Sequence, residues 1–383
     1  MKKLFEALRE KESKYLSVWE DVCNIESPTD NKAGVDAVGA YFIEMAKARG
    51  WSVDVFEHPV AGNVVTITMN PEANARPFTF SGHMDTVHPV GSFGTPAVRI
   101  EGDRIFGPGV TDCKGGVVAA FYAMDALADA GFTARPIQLI LQSDEEGGGK
   151  YSNDVTIDYM CETAKNSIGF FNLEGHNKGK ASIQRKGIAT YTFTVKGIEA
   201  HASACATQGA SAILDAAYKI IEMEKLKDAE GLTCSCTVIS GGTTHNTVAG
   251  ECSFKANVRF ASKEQFEAVQ KYAKDVASMV HVEGCTCEVV LPRVRPAMEY
   301  KEENVKLLET VNRIWVENGL PALEGAKAAG GSDAANVSAY GIPCLDSLGV
   351  EGGKVHTLDE FGVVSSLKES ATRMALVAWH ITE

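Results

Sequence analysis

A chain of 383 residues with 45% apolar and 23% charged side chains is larger than one hydrophobic core comfortably fills, so two domains of ordinary globular composition are expected and disorder is not the default. A formal net charge of -13 argues against nucleic acid or an anionic membrane as a partner. The ten cysteines form no Cys-x-x-Cys pair and the N-terminus lacks a long apolar run, so free thiols, no signal peptide and a cytoplasmic location are expected.

Residues 1–50 read as two helices, the second presenting Val35, Val38, Phe42 and Met45 on one face and stopping at Gly50. Runs at 51–56, 63–69 and 77–80 read as strands, 114–130 as a helix, and 137–142 as a strand apolar almost throughout. This alternation predicts an α/β fold whose mixed sheet is covered on both faces. From about residue 186 the order becomes strand 189–195, helix 210–223, strands 233–239 and 253–260, helix 263–280 and strand 285–291. That is a self-contained α+β unit in split-βαβ, ferredoxin-like order. Residues two apart on a strand share a face, so Cys234 with Cys236 and Cys285 with Cys287 read as packed pairs rather than metal ligands. A helix at 302–318, the run Gly330-Gly331-Ser332-Asp333, a strand at 343–348 and a last helix to 379 return to α/β character. The chain therefore divides into a discontinuous α/β domain, 1–185 with 296–383, and an inserted α+β domain, 186–295.

Metal-competent side chains recur at strand ends and turns, where α/β sheets place their sites. After the strand at 77–80 comes His83, with Asp85 two residues on to accept its other ring proton; alone, such a motif is more often just a satisfied polar pair. Asp112 ends a glycine-rich turn before a helix, where a cap is the ordinary explanation. Asp144, Glu145 and Glu146 follow the buried strand 137–142, and three like charges beside a core raise one another's pKa unless a cation balances them. An exposed acidic turn is the plainer alternative. Glu174 follows another short apolar run and His356 lies in a glycine-rich loop. Two histidines with several carboxylates suit zinc better than calcium or an iron–sulfur cluster. No phosphate-binding loop, nucleophile elbow or His-Glu-x-x-His helix is present.

Taken together, SGHMDTV at 81–87, GPGVTDCKGG at 107–116, SDEEGGG at 143–149, NLEG at 172–175 and GGKVHT at 352–357 resemble the co-catalytic di-zinc aminoacylase/carboxypeptidase family, which includes bacterial glutamate carboxypeptidase, acetylornithine deacetylase and succinyl-diaminopimelate desuccinylase. The resemblance spans nearly the whole chain. It implies two Zn2+ ions, with Co2+ or Mn2+ as substitutes, bridged by Asp112; His83 and Glu174 complete one site, Glu146 and His356 the other. Glu145 is then the general base that takes a proton from water and passes it to the leaving amine, supported by Asp85. A cis Asp112–Cys113 peptide is also implied.

The insertion resembles the family's lid and dimerisation domain, which implies a homodimer in which His201 reaches the partner's active site to support the oxyanion. By the same resemblance Asn246 and Arg259 bind the substrate carboxylate, and Gly330, Gly331 and Ser332 contact the substrate backbone. The Ala202-Ser203-Ala204-Cys205 run departs from the family's usual small residues and glycine after the lid histidine, so lid packing there is expected to differ. Glu at 174, where several aminopeptidase relatives carry Asp, favours carboxypeptidase or deacylase action. The expected substrate is a small peptide or N-acyl amino acid, cleaved in a glutamate-carboxypeptidase-like reaction; deacylase, desuccinylase and dipeptidase activities are alternatives, as is a catalytically silent peptide- or metal-binding protein.

Overall fold

The computed structural model describes residues 1–176 and 179–382, which cluster into two compact units. One comprises Met1–Ile183, Tyr300–Lys327 and Ser332–Glu383; the other comprises Gln184–Glu299 with Ala328–Gly331.

In the first unit a six-stranded sheet runs Ser52–Phe56, Val64–Met69, Ile137–Gln142, Phe78–His83, Phe170–Asn172, Cys344–Leu345. Its first two pairings are antiparallel and the remaining three parallel, so the sheet is mixed. Every residue of Phe78–His83 and of Phe170–Asn172 is buried, which is why these strands show no polar alternation. Helix Lys114–Asp129 is buried from Lys114 to Leu127, apolar nearly all round as an interior helix must be. It packs against the helices Lys2–Glu10, Glu12–Asn24 and Ser366–His380.

The N-terminal stretch differs from the expected pair of helices. It forms three, because Lys11 interrupts the first between Lys2–Glu10 and Glu12–Asn24 before Lys32–Ala48 follows. The strand expected over 343–348 shortens to Cys344–Leu345, since Asp346 turns its carboxylate onto the Ser347 amide and Ser347 adopts a φ of 61°. A four-stranded antiparallel sheet that period-2 patterning did not reveal runs Gly352–Gly353, Phe361–Val363, Arg104–Phe106, Arg99–Glu101. Its pairing of Phe361–Val363 with Arg104–Phe106 sets the loop 354–360 beside the loop 107–112. Among the described residues no helix is long and apolar enough to cross a membrane.

The second unit strings together Gly187–Lys196, helix Ala212–Met223, Thr233–Gly241, Glu251–Phe260, helix Lys263–Ser278 and Thr286–Val290. The sheet order, Thr233–Gly241, Glu251–Phe260, Gly187–Lys196, Thr286–Val290, is the split-βαβ arrangement. Burial alternates along Gly187–Lys196, and its inward residues meet the helices around a stacked Phe193–Phe254 pair with centroids 4.6 Å apart. Thr233–Gly241 lies at the edge and exposes Val238 and Ile239.

Candidate metal centre

Three adjacent parallel strands end together. Phe78–His83 stands between Ile137–Gln142 and Phe170–Asn172, with His83 opposite Gln142. Their carboxyl ends therefore deliver His83, then Glu145 and Glu146, then Glu174 to one edge of the sheet. The adjoining small sheet contributes the other two groups, since Asp112 follows strand Arg104–Phe106 and His356 lies between Gly352–Gly353 and Phe361–Val363.

Asp112 is the centre of the arrangement. Its Oδ1 lies 3.2 Å from His83 Nε2, and its Oδ2 lies 3.0 Å from His356 Nε2. Glu174 Oε1 stands 3.8 Å from His83 Nε2, while Glu146 Oε2 stands 3.3 Å from His356 Nε2. Asp112 thus lies between two pairs, His83 with Glu174 and His356 with Glu146, as a bridging ligand would, and Glu146 also falls within 4.8 Å of His83 and Asp112. The Asp112–Cys113 peptide is cis.

The charges are crowded. Burial, followed by the neighbouring Asp112 and Glu145 charges, pushes the Glu146 carboxyl up to about 7 against the opposing hydrogen bond from His356. Burial and the Asp112 charge likewise hold Glu174 well above the ordinary carboxyl range. Hydrogen bonds to Asp112 and Glu146 push His356 up to about 10. Without an ion, protons on His83 and His356, both of which are pushed above the ordinary imidazole range, oppose these acids, and three carboxylates with two imidazoles form a donor set suited to divalent zinc.

The sheet edge is held by Asp85, though not quite as its spacing suggested. The His83 Nδ1 proton goes to the backbone carbonyl of Asp85 at 2.9 Å, with the carboxylate farther off at 3.5 Å. That bond leaves the Nε2 lone pair toward Asp112. The Asp85 carboxylate instead accepts the N–H groups of Glu145 and Glu146 and the Thr29 hydroxyl. Two groups escaped notice in the sequence. Cys113 Sγ accepts the His83 backbone N–H at 3.0 Å and joins His83 and Glu174 in a set whose donor atoms lie within 4.8 Å of one another. Glu360 is buried against the Asp112 loop. A thiol next to an aspartate and an acid four residues past a histidine carry no spacing signal by themselves.

A profile described as peptidase family M20/M25/M40 matches residues 79–380. The chain belongs to this peptidase family. Carboxypeptidase G2 of Pseudomonas sp. (strain RS-16) is 27% identical over 361 residues, covering 92% of this chain and 86% of its own. Succinyl-diaminopimelate desuccinylase of Dinoroseobacter shibae is 25% identical over 316 residues, covering 78% of this chain and 82% of its own. Among solved structures, aminopeptidase PepT of Bacillus cereus superposes with a TM-score of 0.79 at 22% identity over 96% of this chain and 97% of its own. A Bacillus subtilis protein described as a dinuclear metal binding peptidase superposes with a TM-score of 0.71 at 17% identity over 98% of each chain. This member of the family thus has the family's mixed α/β fold.

The remaining candidates lie in the second unit, with one exception. His201 and Asn246 are both exposed and come together there, the Ala202 N–H donating to the Asn246 backbone carbonyl at 2.8 Å. His201 caps the short 3-10 helix Ala202–Ala204: its Nδ1 accepts the Ser203 N–H at 3.3 Å and meets the Ser203 hydroxyl at 2.8 Å. An accepting Nδ1 leaves the neutral ring's proton on Nε2. Arg259 is half-buried, donates to Asn257 Oδ1 at 3.1 Å, and shares the strand residue Ile188 as register partner with Arg295. Gly330 and Gly331 also fall in this unit. Ser332 falls in the first, buried, with its hydroxyl donated to Asp346.

Proposed function

We propose that this peptidase hydrolyses the amide bond of a small peptide or N-acyl amino acid, releasing a free amino acid in a glutamate-carboxypeptidase-like reaction. The observation that carries this reading is the placement of the two Asp112 oxygens on two different imidazoles, each shared with a second carboxylate. His83, Asp112 and Glu174 would hold one divalent ion and His356, Asp112 and Glu146 the other, with zinc the first choice and cobalt or manganese able to substitute. Bound there, the ions supply a Lewis acid that polarises the scissile carbonyl and acidifies water.

Glu145 is the base. Its backbone N–H is pinned on Asp85 at 3.2 Å, beside the Glu146 amide, which keeps the residue next to the ligand sets. It takes the proton of the attacking water and returns it to the departing amine. Arg259 and Asn246 hold the substrate's α-carboxylate, a task that suits a planar guanidinium, and the backbone of Gly330, Gly331 and Ser332 lies along the substrate. The second unit serves as lid and dimerisation domain. Its edge strand exposes Val238 and Ile239, and its helix Ala212–Met223 exposes Leu214, Tyr218 and Ile221, an apolar surface that a second copy would cover. In that homodimer His201 supports the oxyanion in the partner's site. All ten cysteines are free, in keeping with a reducing cytoplasm.

The deciding experiment is a panel of N-acyl amino acids, N-blocked dipeptides and free-amino peptides, scored by amino acid released from the zinc-loaded protein. Release from blocked substrates with a free α-carboxylate is expected. Cleavage confined to free-amino peptides overturns the carboxypeptidase reading, and zinc binding without turnover of any panel member identifies a silent binding protein.

A further inference from the structure

Glu360 lies four residues after His356, yet its hydrogen bonds go to the loop that ends at Asp112. The side chain is 1% exposed. Its Oε1 accepts the backbone N–H of Thr111 at 3.0 Å and of Asp112 at 3.1 Å. Its Oε2 takes the Gly109 N–H at 3.4 Å and faces His88 Nε2 at 3.3 Å. His88, 7% exposed, is its titratable partner at ion-pair distance among the described residues. The buried anion therefore rests in a nest of main-chain amides. That nest depends on Gly109, whose φ is +73° and where a Cβ would stand 2.9 Å from Thr86 Cγ2 and 3.2 Å from the Asp112 carbonyl. Beside it the Thr111 hydroxyl donates to the Phe361 carbonyl at 2.6 Å.

The same short segment thus grips Asp112 twice. His356 meets the carboxylate Oδ2 at 3.0 Å, and Glu360 holds the Asp112 backbone amide at 3.1 Å. Glu360 thus fixes the main chain from which the Asp112 carboxylate projects toward His356. We propose that Glu360, backed by His88, is a positioning residue that sets the place of the Asp112 carboxylate between the two ligand sets. This rests on the reading of Asp112 and His356 as ligands of neighbouring metal ions. A contact made only to close the loop would need no anion, whereas a carboxylate satisfies several converging N–H groups at once and fixes their directions together.

The test uses full-length protein loaded with zinc. Glu360→Gln keeps the shape but turns one acceptor oxygen into an amide that faces N–H donors. The expected result is a fall in kcat of about 10–100-fold with KM little changed, and a zinc affinity weakened by about the same factor in competition with a chromophoric chelator. A merely structural role would lower the thermal midpoint of metal-free protein and leave the kcat and zinc affinity of folded enzyme at wild-type values, and that result overturns the proposal. Should Glu360→Gln fail to fold, the His88 pair carries the test: His88→Leu is expected to weaken zinc binding and kcat in the same direction, and His88→Gln, which retains a donor, to restore them. A folded His88→Leu variant identical to wild type in both also overturns it. Wild-type protein that binds no zinc, or a His356→Ala variant with undiminished zinc stoichiometry, sinks the metal-site reading itself and the Glu360 proposal with it.

Discussion

The Glu145 backbone N–H donates to Asp85 Oδ1 at 3.2 Å, and the next amide, that of Glu146, donates to Oδ2 of the same carboxylate at 3.0 Å. Two consecutive acids are thereby fixed at the main chain, and in the proposed mechanism their side chains take different tasks, Glu146 as a ligand beside His356 and Glu145 as the base. Glu145→Gln keeps the pinned backbone and removes only the proton acceptor. It is expected to lower kcat by about 10²–10⁴-fold with zinc content unchanged, as steady-state kinetics and elemental analysis will show. Wild-type turnover in this variant would take Glu145 out of the mechanism.

Metal binding and pH are linked through His356 and Glu146. In metal-free protein the proton between His356, Asp112 and Glu146 is held up to about pH 10 on the imidazole, and the Glu146 carboxyl is pushed up to about 7. Both folded values lie above the ordinary ones of about 6.5 and 4.3. Stability from raised groups is complete below the unfolded value and is lost as pH climbs through the folded one, so metal-free protein weakens from about pH 4.3 to 7 through Glu146 and from about 6.5 to 10 through His356. Zinc replaces the proton, so its binding releases protons and its apparent affinity rises with pH. Thermal midpoints with and without chelator are expected to diverge as pH is raised from about 6 to about 9; a gap that closes instead contradicts the assignment.

The legible part of the site came from long, buried strands. The acids after residues 137–142 and the histidine after 77–80 stood out because an apolar run ending in charge has few explanations. The illegible part depends on strands of two or three residues, Arg104–Phe106, Gly352–Gly353 and Phe361–Val363, too short and too rich in glycine and arginine to show periodicity. They join Glu360 to the Asp112 amide across 248 residues of sequence. The break at Lys11 is hidden for a different reason: helical spacing of apolar residues continues on both sides, at Leu4 and Leu8 and again at Tyr15 and Trp19, so pattern alone reads one helix.

Arg259 tests the substrate's carboxylate. Arg259→Lys keeps the charge and loses the planar fork. A charge-assisted bond lost in this way costs about 2 kcal/mol, roughly thirtyfold in kcat/KM, for substrates with a free α-carboxylate. The same substrates with an amidated C-terminus should be indifferent to the change, and an equal loss on both would assign Arg259 to structure rather than recognition.

Asp125 anchors the N-terminal helices. From the buried helix Lys114–Asp129 it accepts Tyr15 Oη at 2.7 Å and pairs with Lys11 at 3.0 Å, Lys14 at 3.1 Å and Arg49. Burial acts to raise its carboxyl, but the bonds from Tyr15, Lys11 and Lys14 outweigh it and hold the group below its ordinary range. Asp125→Ala is expected to cost roughly 3 kcal/mol at neutral pH by denaturant unfolding, since the stranded cations can partly rehydrate. A depressed carboxyl stabilises above its unfolded pKa and ceases to as pH falls through the folded value. The difference between variant and wild type should therefore shrink below about pH 4.

His201 offers the sharpest test of the dimer. If it acts across subunits, a Glu145→Gln homodimer and a His201→Ala homodimer are each nearly inactive for different reasons. Exchange of subunits then pairs an intact Glu145 with an intact His201 at one of the two sites, and activity returns on mixing. A histidine acting within its own subunit leaves no site with both groups, so the mixture stays as inactive as its parts. An Ile239→Lys substitution on the exposed edge strand adds a control, because a charge on that edge opposes strand pairing between copies. A monomeric Ile239→Lys protein with full turnover would place His201 in its own subunit or outside the reaction, whereas monomerisation with lost turnover, and recovery in the mixing experiment, joins the apolar edge, the lid histidine and the strand-end acids in one working unit.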